Sequence, residues 1–201
     1  MIERYINNRV NAIWNDQNRF DTWKLIQEKY VETLEELKIA EAGIAKKIRK
    51  AEISKEEVYK QEKVTNHDLA SFVDILQKKV GEGSNWVHYG LTSSDIVDSA
   101  NSLLIIQSIE VAQELILNLL EELKLKAIKN KDTKIIGRTH GVYAEETFLG
   151  NIFGNWYLEI KRSLDRLERA KVSIAYGKLS GPVGNHTVVT CLLYTSPSPR
   201  D

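Results

Sequence analysis

Three of the four histidines in this sequence stand in polar breaks between helical patterns. His67 lies in Asn66-His67-Asp68, and His88 in Trp86-Val87-His88-Tyr89-Gly90-Leu91-Thr92-Ser93-Ser94-Asp95. His140 lies in Gly137-Arg138-Thr139-His140-Gly141. Imidazole is the side chain whose unperturbed pKa lies nearest neutrality, so it is the usual choice for moving a proton at pH 7. One such histidine reads as structural. Three of them, each beside hydroxyls or an aspartate, read as the wall of an active site. The run Thr92-Ser93-Ser94-Asp95 can cap a following helix. Taken alone it would be an ordinary capped loop. Beside two further clusters, its remaining hydroxyls and N–H groups offer a carboxylate or phosphate a place at the positive helix end.

Two other chemistries are poorly served. No two histidines stand at i, i+4, no cysteine assists them, and Asn66-His67-Asp68 is too compact to chelate, so no metal site is expected. No Gly-x-Ser-x-Gly elbow follows a strand, which argues against a serine hydrolase.

The elements that must position these clusters are helical. Residues 1–19 read as polar and irregular, with Trp14 as an anchor. Phe20, Trp23, Ile26, Tyr30, Leu34 and Leu37 then recur at three or four, the stripe of an amphipathic helix. Gly43 is a break before a charged helical stretch. Thr65 or Asn66 is expected to cap a helix beginning near Asp68, with Phe72, Ile75, Leu76 and Val80 buried. Gly81 to Asn85 break the chain again. From about Ile96 to Lys129 the pattern is one long helix, with Ile105, Ile109, Ala112, Ile116, Leu119, Leu123 and Ala127 as a bundle seam. A second runs from about Glu145 to Ala175 on Leu149, Phe153, Trp156, Ile160, Leu164, Leu167, Ala170 and Ile174. No convincing alternating strands and no internal repeat are legible. The expected fold class is therefore all-α: an N-terminal helical domain over residues 1–98, then the first long helices of a bundle over 99–190. A helix of ~30 residues is ~45 Å long, which implies a bundle shared between chains.

The totals agree. The chain has 201 residues, 28 Lys+Arg against 28 Asp+Glu and 42% hydrophobic residues, values of a soluble globular protein with no general pull toward nucleic acid or membrane. Only three prolines occur, which suits a mostly helical body. The N-terminus is charged at once and no apolar run approaches a membrane span, so neither a signal peptide nor a membrane anchor is expected. The one cysteine, Cys191, excludes a disulfide framework and points to a reducing compartment. Residues 191–201, Cys191 to Asp201, read as a non-native tail resembling a translated sequencing adapter.

The three histidine clusters, in their order and spacing, resemble the conserved regions of the adenylosuccinate lyase family, of the fumarase/aspartase superfamily. The resemblance covers about residues 1–188. It implies a lyase of purine nucleotide biosynthesis, a cytoplasmic homotetramer without cofactor or metal, acting on a small nucleotide substrate. The implied reaction is β-elimination of fumarate from adenylosuccinate, giving AMP, and from the succinylated aminoimidazole carboxamide ribotide. By matching motifs His140 would be the general acid. Arg4, Tyr5, Asn66, His67 and Asp68 would hold the nucleotide and its phosphate. Thr92 and Ser93 would hold the succinyl carboxylates, with His88 close by and Glu145 placed to orient a histidine. His67, His88, Thr92 and Ser93 should gather near one another.

Two departures stand out. Tyr143 and Glu146 replace a histidine and a proline common after His140. The family's mobile loop, with its catalytic serine base, would lie beyond residue 190, so the chain reads as an N-terminal fragment that is inactive by itself, each complete site drawing on three subunits. The alternatives are a sister fumarate-releasing lyase and a non-catalytic helical assembly module. Arg4-Tyr5 paired with Asn66-His67-Asp68 argues against the first, and three histidine clusters argue against the second.

Overall fold

A computed structural model of the chain describes residues 3–185; the tail read as non-native, 191–201, lies outside them. Short polar side chains set where the helices start. Asn7 accepts hydrogen bonds from the N–H groups of Arg9 and Val10 and opens α1 (Asn8–Trp14), and Asn15 accepts from Asn18 N–H and opens α2 (Asp16–Glu36). These two caps correct the expectation of an irregular start. Gly43, at φ 98°, precedes α3 (Ile44–Lys50). Ser54 and Glu57 form a reciprocal capping box for α4 (Lys55–Thr65).

Helix α4 ends on Asn66 in the left-handed region, φ 53°, and α5 (Asp68–Val80) starts on His67, whose side chain accepts from Ala70 N–H. The expected cap was Thr65 or Asn66. Thr65 instead bonds the neighbouring turn, through His67 O at 3.1 Å and Ser71 Oγ at 2.5 Å. Helix α6 (Ser93–Lys129) follows, then strands β1 (Lys134–Thr139) and β2 (Val142–Phe148), then α7 (Leu149–Ile174). By length and composition α6 is apolar enough to cross a membrane, a test that core helices of soluble proteins also pass. Counting unbroken apolar runs did not single it out.

The described residues fall into two compact units, 3–104 with 176–185, and Ile105–Ala175. The division lies within α6, where the sequence reading put a boundary at 98/99. The first unit has an aromatic centre. Phe20 and Trp23 of α2 meet Phe72 of α5, with Trp23 edge-on to both rings at 5.3 and 5.6 Å. Leu34, Ile48, Val58, Leu69 and Leu76 complete it, and Ile96, Ala100 and Leu104 add the first turns of α6. Full burial of each such side chain contributes roughly 1.5–3 kcal/mol.

In the second unit α6 and α7 run antiparallel. Glu110 pairs with Lys171 at 2.9 Å and Gln113 with Glu168 at 2.6 Å, while Leu149 and Gly150 bond Thr133 and Asn130 at the other end. The covered stripe of α6 includes Ile106, Ile109, Leu120 and Leu123. The expected Leu119 is exposed and Leu120 takes its place; on α7 Trp156 likewise stands outside the covered face.

The fold is mainly helical, as expected, with one correction. Residues 134–148 form an antiparallel hairpin, and α7 begins at Leu149 instead of Glu145. Thr139 pairs with Val142 across a two-residue turn in which His140 and Gly141 have φ 51° and 79°. Positive φ at both central residues is what a type I′ turn requires. A bulge in β2, where Ala144 and Glu145 together face Gly137, interrupts the ladder, and a Cβ on Gly137 would meet Glu145 O at 2.9 Å. The strands are mostly exposed, so they lack the alternation that marks a half-buried strand.

Candidate active site

The central stretch, Trp86 to Asp95, is held by its aromatics. Trp86 packs on Tyr89 with centroids 4.9 Å apart, Trp86 Nε1–H donates to the Glu41 carboxylate, and Tyr30 Oη–H donates to Tyr89 O at 2.6 Å. Burial, then Tyr89 and Asp95, push the Tyr30 phenol up to about 12, so it stays a donor at neutral pH. Between these anchors His88 adopts φ 63°, a conformation uncommon for a residue with a Cβ. Gln27 of α2 grips it twice: His88 N–H donates to Oε1 at 3.0 Å, and Nε2 lies 2.8 Å from the ring Nδ1. Burial pushes the imidazole below its ordinary pKa, His67 acts the same way, and Asp95 opposes both.

Asp95 is the buried centre of the next turn, with no exposed surface. One oxygen accepts from Lys178 Nζ at 2.7 Å and Ser180 N–H at 3.0 Å; the other accepts from Gly181 N–H at 3.1 Å and Thr92 N–H at 2.9 Å. Burial raises the carboxyl's pKa, but Lys178 and the N–H groups of Thr92 and Ser180 outweigh it and hold the group below the usual range. Of the run Thr92 to Asp95 that the sequence offered as a cap for α6, it is the aspartate that reaches back to Thr92 N–H. That aspartate also fastens residues 178–181 to the helix start, helped by Ser99 Oγ, which accepts from Lys178 N–H and donates to Lys178 O.

His67 faces this helix start. Its Nε2 is 3.3 Å from Ser93 Oγ, while Nδ1 has two suitors, Ala70 N–H at 3.4 Å and Asp68 Oδ1 at 3.3 Å. With Nδ1 capping α5, the neutral ring donates from Nε2 to Ser93. A proton on Nδ1 exchanges the cap for an ion pair with Asp68. The structure thus joins His67, Asp68 and Ser93 by contact, while Thr92 N–H bonds Asp95 and His88 feels that same carboxylate's charge. Asn66 ends α4 immediately before. Arg4 and Tyr5 stand elsewhere on the chain, both exposed, with the guanidinium 4.9 Å above the Tyr5 ring. His140 and Glu145 belong to the hairpin of the second unit, His140 exposed at its tip, next to Arg138 stacked over Tyr143. Among the described residues no group of three or more His, Cys, Asp or Glu could hold a metal.

Sequence reasoning missed Gln27 and Tyr30's hydroxyl, and read Lys178 to Gly184 as a Gly-rich loop without its hold on Asp95. The signal for Gln27 was present: it is a polar residue on the buried stripe, four after Trp23 and three before Tyr30. The loop partners of Asp95 lie more than eighty residues away, and no local pattern announces them.

Comparison with known proteins narrows the chemistry. Residues 8–191 match a protein family described as lyase. The chain is 39% identical over 190 residues to an adenylosuccinate lyase of Thermotoga maritima, covering 94% of this chain and 44% of that protein. It is 38% identical over 187 residues to one of Bacillus subtilis, covering 92% and 43%. The chain therefore spans less than half the length of these relatives. Solved structures agree in fold. A fumarate lyase from Mesorhizobium sp. BNC1 matches at TM-score 0.83 with 20% identity over 88% of this chain and 43% of that one. A 3-carboxy-cis,cis-muconate lactonizing enzyme from Pseudomonas putida matches at TM-score 0.85 with 18% identity over 91% and 43%.

Proposed function

The chain belongs to the lyase family, and from that premise we propose that its full-length protein eliminates fumarate from adenylosuccinate and from the succinylated aminoimidazole carboxamide ribotide. The observation that carries the choice is the 39% identity to adenylosuccinate lyase across the segment that holds all three histidine clusters. The local chemistry fits. In the elimination a base removes a proton beside a carboxylate, the carbon–nitrogen bond breaks, and an acid protonates the departing nitrogen. The carbanion needs donors around its carboxylate. The start of α6 offers Ser93, Thr92 and the positive end of a long helix dipole. Asp95 does not compete for that place, because Lys178 and three N–H groups already engage its charge.

In this reading Thr92, Ser93 and His88 receive the succinyl carboxylates, and Asn66, His67 and Asp68 with Arg4 and Tyr5 receive the nucleotide. His140 is the acid, with Glu145 to orient it. An exposed imidazole at the tip of a hairpin is free to be presented to the site of another subunit of a cytoplasmic homotetramer. The base comes from the part of the protein outside this chain, so residues 1–190 alone release no fumarate. The test is a fumarate-release assay on the full-length protein. Turnover of adenylosuccinate supports the reading; turnover of another succinyl substrate in its place replaces it with a sister lyase.

A further inference from the structure

Gln27 is 0% exposed, on the same face of α2 as Trp23, Tyr30 and Leu34. A buried carboxamide must satisfy both its ends, and Gln27 commits both to one residue. Its Oε1 accepts His88 N–H, and its Nε2 lies 2.8 Å from His88 Nδ1. A backbone N–H can only donate, so the oxygen of the carboxamide must face it and the nitrogen must face the ring. That nitrogen has only hydrogens to offer. Nδ1 must therefore accept, and the neutral ring carries its proton on Nε2. A proton added to Nδ1 would set two donors against each other. The same grip restrains the φ 63° backbone of His88, a conformation that persists only when its surroundings over-determine it.

We propose that Gln27 is a positioning residue that locks His88 as a neutral imidazole protonated at Nε2, so that His88 meets substrate as a hydrogen-bond donor and not as a base or a cation. The charged and titratable neighbours are consistent with the lock. His67 opposes a charge on His88; Asp95 favours one, but Lys178 already engages that carboxylate. Tyr30, pushed up by burial, stays a neutral phenol at working pH. A neutral donor can hold a carboxylate through the elimination without supplying a competing acid, which leaves protonation of the leaving nitrogen to a different imidazole. The lock stands on the geometry of α2 and the central stretch; its consequence for rate rests on the lyase reading above.

The test uses the full-length protein with ¹⁵N-labelled histidine rings, the His88 signals being assigned by their loss in His88→Gln. Ring NMR reads which nitrogen is protonated, and fumarate release from adenylosuccinate gives kcat and KM. Wild type should show His88 protonated at Nε2 across about pH 6–8. Gln27→Glu keeps the size and the acceptor for His88 N–H but turns the ring-facing donor into an acceptor. It should move the proton to Nδ1, raise the midpoint of His88 and lower kcat/KM about 10- to 100-fold, the usual cost of losing a histidine's orienting partner. Gln27→Met, which offers Nδ1 no donor, should give a mixture of tautomers. A wild-type ring protonated at Nδ1 overturns the lock whether or not either variant folds. A Gln27→Glu enzyme with the proton moved and both kinetic constants unchanged overturns its role in the reaction. A locked His88 in a protein that does not act on adenylosuccinate would sink the substrate reading and leave the lock standing.

Discussion

The two units solve the same packing problem on different terms. In the first, Phe20, Trp23, Leu34, Ile48, Phe72, Leu76 and Ile96 are essentially removed from solvent, and the polar cluster around Asp95 is fixed against that core. In the second, two long helices share one narrow covered stripe. Leu117 is 53% exposed, Leu125 58% and Ile128 60%, and Trp156 and Leu158 are more than half exposed as well. Exposed apolar side chains in this number are more than the scattered single ones of an ordinary surface. The difference teaches that one unit closes its own core beneath the Asp95 cluster, whereas the other leaves much of its apolar surface uncovered. That division suits an enzyme whose bundle is shared among subunits, as proposed above.

The comparison can be broken by truncating one large side chain in each unit. Trp23→Ala should destabilise by about 3–5 kcal/mol, the usual cost of emptying a core aromatic. Trp156→Ala should change the stability of this chain by about 0.5 kcal/mol or less, yet weaken assembly of the full-length protein. Chemical denaturation and sedimentation read the two effects, and equal losses of stability would erase the distinction.

A smaller effect sharpens it. Within the second unit the tight point is the start of α7, where a Cβ on Gly150 would meet Ala127 O at 2.6 Å and Asn130 O at 3.0 Å. Backbone cannot step aside as a side chain can, so Gly150→Ala should cost about 1–3 kcal/mol. Gly154→Ala, which meets nothing within 4 Å, should be neutral or slightly stabilising. Thermal melts of the two variants decide it.

In the first unit, Lys178→Met removes one charged partner of Asp95 and leaves its backbone donors. A loss of about 1.5–3 kcal/mol is expected, together with a rise in the Asp95 pKa measured by carboxyl NMR. The pH dependence of stability has a definite sign. His88 and Asp95 both have folded pKa values below their ordinary ones. In each case the unfolded chain binds the proton more readily, so the contribution is full above the unfolded pKa and is lost as pH falls. Stability should decline from about pH 6.5 through His88 and again below about pH 4 through Asp95. Lys178→Met should flatten the lower step, and His88→Gln should remove the upper one.

What the sequence discloses follows the range of the interaction. Helical stripes are local, so α2, α5, α6 and α7 were legible from apolar spacing, and the histidine clusters from their glycine and hydroxyl neighbours. Residue-level facing was less so. Leu119 and Leu120 are equally apolar, and their own spacing does not decide that Leu120 is the covered one. The hairpin was missed because its strands are exposed and its turn uses His140 where asparagine would have signalled a type I′ bend. The clamp of Gln27 on His88 and the clasp of Asp95 on residues 178–181 join positions 61 and more than eighty residues apart, and no pattern within a window reaches that far.

The central claim is that the His67–His88–Ser93 wall and His140 serve one β-elimination. It is tested most directly by fumarate release from adenylosuccinate by the full-length protein and its His140→Gln variant, each confirmed as folded. The account predicts turnover by the wild type and a kcat lowered by roughly 10²–10⁴ in the variant, the usual worth of a general acid. Full activity in His140→Gln, or no fumarate from adenylosuccinate with the wild type, would contradict it.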